Sequence, residues 1–74
     1  MRKRLKWIKF EGWYNAGTKE RGWEARATHK ANGFWFMKLT VEKPFIVVEV
    51  EAETLDQCDA VAYHALVGLG FDAR

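Results

Sequence analysis

Residues 28–39 read THKANGFWFMKL. Asn32-Gly33 is a hairpin-turn signal, and the chain leaves it through Phe34, Trp35, Phe36 and Met37 without a polar interruption. A strand with one wetted face alternates polar and apolar residues. This one places large apolar side chains on both faces. The register of the hairpin then decides which of them enter a core, because a one-residue slip exchanges the faces.

A two-residue Asn32-Gly33 loop sets Thr28 beside Met37, Arg26 beside Leu39 and Glu24 beside Val41, with charge on the best core face. A three-residue loop, Ala31-Asn32-Gly33 with Gly33 left-handed in a bulge, shifts the pairing by one. Trp23 then meets Val41, Ala25 meets Leu39, Ala27 meets Met37 and His29 meets Trp35. Arg26, Thr28 and Lys30 fall on the opposite face with Lys38, Phe36 and Phe34. The second register is expected. Carried around Pro44, it pairs Val41 with Ile46, Leu39 with Val48 and Met37 with Val50, and sets Lys38 opposite Glu49.

Four strands follow: about 5–14, 23–30, 34–41 and 45–51, with NAGTKERG (15–22) as a loop. Lys43-Pro44 turns the chain. A helix begins at Thr54, whose side chain and Gln57 form a capping box, with Asp56 and Asp59 near its positive end. At about 100° per residue, Leu55, Cys58, Val61, Ala62, Ala65, Leu66 and Leu69 share an arc of about 140°. Gly68 or Gly70 ends it, and the tail from Phe71 is free to fold back. The expected fold is α+β: a single domain over residues 1–74, an antiparallel four-stranded meander with one C-terminal helix on one face.

Seventy-four residues, 49% of them hydrophobic and 30% charged, describe a small globular chain with a thin core. One cysteine excludes an intrachain disulfide and a four-cysteine metal site. MRKRLKWIKF is basic like the start of a signal peptide, but Lys6 and Lys9 interrupt any apolar run. A cytoplasmic protein with no membrane association is the expectation. Residues 1–38 hold ten Lys/Arg against three acids, and residues 39–74 hold two against seven. One half of the chain suits polyanions and the other repels them.

The register leaves Phe34 and Phe36 on the face away from the helix, with Arg26, Thr28, Lys30 and Lys38. In the first strand, Ile8 and Phe10 are expected inward, which turns Trp7, Lys9, Glu11 and Trp13 outward. The candidate binding residues are Trp7, Trp13, Arg26, Lys30, Phe34, Phe36 and Lys38. Three readings compete. Trp7, Trp13 or Phe71 covers the two phenylalanines as a second small core; the face is an apolar protein interface; or its aromatics stack on bases while Lys and Arg neutralise phosphate, with the RKRLK arm extending the contact. Glu49 and Glu51 on the same face favour a protein partner. On the helix, Tyr63 and Val67 are four residues apart and form a candidate dimer face.

Catalysis finds little support. Cys58 lies on the inward arc of the helix as a small buried hydrophobe, and His64 is about 120° from it. His29 is expected as a hydrogen-bonded histidine against Trp35. Two histidines and one cysteine have no metal-ligand spacing, and no glycine-rich phosphate loop precedes a helix. No catalytic residue, metal, cofactor or small-molecule substrate is expected.

The passage VEVEAETLDQCDAVAYHAL resembles small domains in which a last strand feeds a capped helix. It is also similar to the sheet-plus-helix DNA-binding arms of phage-type integrases, a comparison that transfers no site residue. In size and aromatic content the chain looks like phage- or mobile-element-encoded inhibitors, including anti-CRISPR proteins. The expectation is a non-enzymatic interaction protein that binds a protein partner or its own copy through the aromatic and basic sheet face. Its target would be an enzyme that handles nucleic acid; the alternative is direct DNA or RNA binding through the same face.

Overall fold

A computed structural model describes residues 4–72. Strands β1 (Ile8–Phe10), β2 (Trp13–Thr18), β3 (Trp23–His29), β4 (Trp35–Glu42) and β5 (Phe45–Ala52) form one antiparallel sheet in chain order, followed by helix α1 (Leu55–Gly68). The fold is α+β, as the sequence implies, but the sheet has five strands and not four. The expected first strand folds back on itself at Glu11-Gly12, pairing Phe10 with Trp13. Gly12 takes φ +80° there, a backbone that glycine adopts without steric penalty. The second half continues through Asn15 and Gly17 as β2, so the polar loop shrinks to a 3-10 turn at Lys19–Arg21.

Gly17 permits this extension. Its φ is +77°, and a Cβ there would stand 2.6 Å from the Trp23 ring. The missing side chain seats the indole, which is 1% exposed at the end of the core.

The β3–β4 hairpin follows the three-residue loop. Gly33 has φ +89°, and Trp23↔Val41, Ala25↔Leu39, Ala27↔Met37 and His29↔Trp35 pair in register. Around the Lys43-Pro44 turn, Val41↔Ile46, Leu39↔Val48, Met37↔Val50 and Lys38↔Glu49 pair as expected. Ala25, Ala27, Met37, Leu39 and Val41 are fully buried, in one cluster with Leu55, Cys58, Ala62 and Leu66 of α1. Removing this apolar surface from water, at about 25 cal/mol per Å², drives the packing.

The Thr54 hydroxyl accepts from the Gln57 backbone N–H at 3.2 Å, and the Gln57 side chain accepts from the Glu53 N–H at 2.9 Å. At the other end, Gly70 (φ +90°) donates to Val67 O and Phe71 donates to Leu66 O, both at 3.0 Å. This Schellman closure turns Phe71 back against the core. Residues 73 and 74 of the tail lie outside the described residues. The inward arc of α1 differs from expectation at three places: Val61 and Leu69 are exposed, while Asp59 is buried.

Candidate macromolecule-binding face

The side of the sheet away from α1 is open. Register aligns its side chains in rows: Phe10–Trp13–Thr28–Phe36–Glu51 in one, and Ile8–Asn15–Arg26–Lys38–Glu49 in the next. The strands place these side chains because successive residues alternate faces. Among the described residues eight large apolar side chains are exposed. Five of them, Ile8, Phe10, Phe34, Phe45 and Val47, lie on this face, and the other three are on or just beyond α1. They lie toward opposite edges of the sheet, Ile8 and Phe10 on β1 and Phe45 and Val47 on β5, with Phe34 just before β4.

Phe34 is exposed and Phe36 is half-buried. Neither lies under Trp7 or Phe71, both of which pack on the helix-side core, so the second-core expectation does not hold for those two. Lys30 covers part of Phe36, with Nζ 5.9 Å from the ring centroid, and is held there by Glu51 at 2.8 Å. Trp13 stacks on Phe10 at 4.5 Å between centroids, and the Arg26 guanidinium lies 4.4 Å above the Trp13 ring. Beside them, Arg26, Thr28, Phe36 and Lys38 line a shallow depression of about 280 Å³, closed by Glu24 and Thr40.

Arg26 and Lys38 stand directly opposite each other. Among the described residues neither makes an ion pair. Like charges opposed across a strand pair are unfavourable; Glu49, opposite Lys38 on its other side, and Glu24, beside the depression, offset part of that charge. The wider face does not match a polyanion: Arg26, Lys30 and Lys38 share it with Glu24, Glu42, Glu49 and Glu51. The meander sets acidic β5 beside basic β4, so the charge asymmetry along the sequence does not become two charged poles.

Six of the seven predicted binding residues, Trp13, Arg26, Lys30, Phe34, Phe36 and Lys38, come together on this face. Trp7 does not. Its indole Nε1 donates to Asp59 Oδ1 at 2.9 Å on the helix side, while Ile8 and Phe10, expected inward, face out with Trp13. The turn at Glu11-Gly12 reverses the parity of β1 relative to an uninterrupted strand. Of the basic arm, residues 2 and 3 lie outside the described residues. The Arg4 backbone is tied to Asp59, and its guanidinium lies 5.1 Å from the Tyr63 ring centroid. Arg4 therefore covers the helix and does not extend the sheet face. The same contact half-buries Tyr63, so of the Tyr63–Val67 pair only Val67 is exposed. The sequence expectation omits Ile8, Phe10, Phe45 and Val47 from the open face; the Glu11-Gly12 step is the available signal for the first two.

His29 stacks on Trp35 at 4.6 Å, with Nε2 3.2 Å from Gly33 O. Cys58 is fully buried, and burial pushes its thiol pKa up. No group of three or more His, Cys, Asp or Glu among the described residues is placed to hold a metal ion. No described helix is long and apolar enough to cross a membrane. No protein-family model, curated protein or solved structure matches the chain.

Proposed function

We propose that the protein is a non-enzymatic interaction module that binds a protein partner through the open face of its sheet. One observation carries this reading. The face that carries the Arg26–Lys38 pair has exposed aromatic and aliphatic side chains at both of its edges, half-buried Trp13 and Phe36 between them, and no described element over it. Aromatic residues and Arg are the usual anchors of protein interfaces, ringed by polar groups. An acidic side chain of the partner would relieve the Arg26–Lys38 opposition. The acids Glu42 and Glu49 would meet basic groups, as the surface of a nucleic-acid-handling enzyme supplies them. An inhibitor of such an enzyme, of the phage or mobile-element kind, acting in the cytoplasm, fits this chemistry.

Direct nucleic-acid binding is the second reading. The Phe10–Trp13 stack under Arg26 favours it, since base stacking on such platforms contributes about 1–3 kcal/mol per base. Four acids against three bases on the face weigh against it.

Immobilised protein, host extract and a panel of single- and double-stranded DNA and RNA separate the two. The protein reading expects a retained polypeptide that Phe36→Ala releases by about tenfold, corresponding to an anchor of about 1.4 kcal/mol, with little dependence on salt. A retained nucleic acid whose affinity falls steeply with salt would replace it with the second reading. Equal retention by folded Phe36→Ala would remove both.

A further inference from the structure

We infer that β5 is a self-pairing edge and that two copies of the chain join through it, antiparallel, into one ten-stranded sheet.

Which backbone groups of β5 are free follows from two hydrogen bonds. Lys30 N–H donates to Phe34 O at 2.8 Å and Glu42 N–H donates to Gly22 O at 3.0 Å. Even-numbered residues along β4 therefore turn their backbone groups toward β3, and odd-numbered ones turn toward β5. In the β4–β5 register the odd residues oppose Ile46, Val48, Val50 and Ala52. The N–H and C=O groups of Phe45, Val47, Glu49 and Glu51 consequently face the free side. β5 is the last strand of the sheet, and none of these groups has a backbone partner beyond it among the described residues.

Proteins usually blunt such edges with proline, lysine, bulges or very short strands. The other edge, β1, has three residues. β5 has eight in unbroken extended form, contains neither proline nor lysine, and has only two charged residues, Glu49 and Glu51, both in its second half. Its side chains are under-covered on both faces. Phe45 is 70% exposed and Val47 is also exposed, while Ile46, Val48 and Val50 are only half-buried, unlike the core of β3 and β4. A strand added here covers both sets.

The side chains select a second copy. With the two-fold axis at Val48, the strands overlap over residues 45–51 and the free backbone groups of Phe45, Val47, Glu49 and Glu51 all find partners. Ile46 meets Val50 and Val48 meets Val48 on the helix side. Phe45 meets Glu51 and Val47 meets Glu49 on the open side, so no two acids oppose each other. Sliding the axis to Glu49 sets that acid against itself. Two-fold pairing of one surface with itself is the commonest closed assembly. Only Phe45 and Val47, at the β5 edge of the open face, are covered by the second copy; the rest of that face stays clear, and this inference does not rest on the partner reading above.

Sedimentation of the purified chain at micromolar and near-millimolar concentration tests it. The expected result is a shift from the 8.6 kDa chain to twice that mass. Val47→Pro removes one edge N–H that β4 does not use, so it is compatible with the folded monomer; it should abolish the shift. If that variant fails to fold, Val47→Lys reads the same edge. Val48→Cys should form a reducible covalent dimer, since opposed residues in a non-hydrogen-bonded pair lie about 4.5 Å apart at Cα, and the native Cys58 is buried. A chain that stays monomeric near millimolar concentration, or a dimer untouched by folded Val47 variants, would overturn the inference.

Discussion

Asp59 of α1 accepts the indole N–H of Trp7 at 2.9 Å, and the same carboxylate accepts the backbone N–H groups of Arg4 and Leu5 at 2.8 Å each. It is 2% exposed. One buried carboxylate thus docks the segment that precedes the sheet onto the helix, and it fixes Trp7 on the side away from the open face. Asp59→Ala leaves three donors without this acceptor and should destabilise the chain by about 3 kcal/mol, read from the denaturant midpoint. Trp7→Phe removes one of those bonds and should cost about 1 kcal/mol. Equal midpoints for wild type and Asp59→Ala would show that the docking contributes nothing to stability.

The two positive-φ glycines of β2 and its turn separate backbone strain from steric conflict. At Gly12 a Cβ meets nothing within 4 Å, so Gly12→Ala carries only the left-handed penalty of about 1 kcal/mol. At Gly17 it adds a 2.6 Å approach to the Trp23 ring. Gly17→Ala should cost about 3 kcal/mol and change the tryptophan emission. Similar costs at both positions would refute the seating of the Trp23 indole on Gly17.

Phe34 separates function from stability. It is exposed on the open face, and surface substitutions usually change stability by about 0.5 kcal/mol or less. Phe34→Ser should keep the unfolding midpoint and weaken partner retention. A large fall in stability would show that the residue serves the fold.

Cys58 should be inert in the folded chain. Burial raises its thiol pKa, and the thiolate is the reactive form. Labelling by a thiol reagent should therefore follow global unfolding and slow with added stabilising salt. The sign of the linkage is that of a raised pKa: the stability contribution is complete below the ordinary thiol range and is lost as pH climbs through the raised value. Labelling that is as fast in native buffer as in denaturant would contradict the burial.

Much of this architecture was legible in the residues. The bulged Ala31-Asn32-Gly33 loop and the even step around Pro44 each put Met37 and Leu39 on the same side, and Thr54 with Gln57 marked the helix start. The misread parts of the sheet share one cause. Glu11-Gly12 is not one of the dipeptides that hairpins favour most, so residues 5–14 passed for a single strand. That error inverted Ile8 and Phe10 and cost one strand. Asp59, read from the sequence only as a charge near the positive end of the helix, is a separate case. Helical periodicity assigns an acid to solvent, and only the N-terminal segment lying across α1 makes Asp59 an interior acceptor.

The central claim is that the sheet face opposite α1 is where a protein partner docks. Site-specific photocrosslinking tests it most directly, with a photoreactive phenylalanine at Phe34 and, as control, at Val67 on α1, both exposed. In host extract the account predicts a discrete heavier protein adduct from position 34 that competing unlabelled protein suppresses, and none from position 67. Adducts of equal yield from both positions, or a specific adduct from position 67 alone, would contradict it.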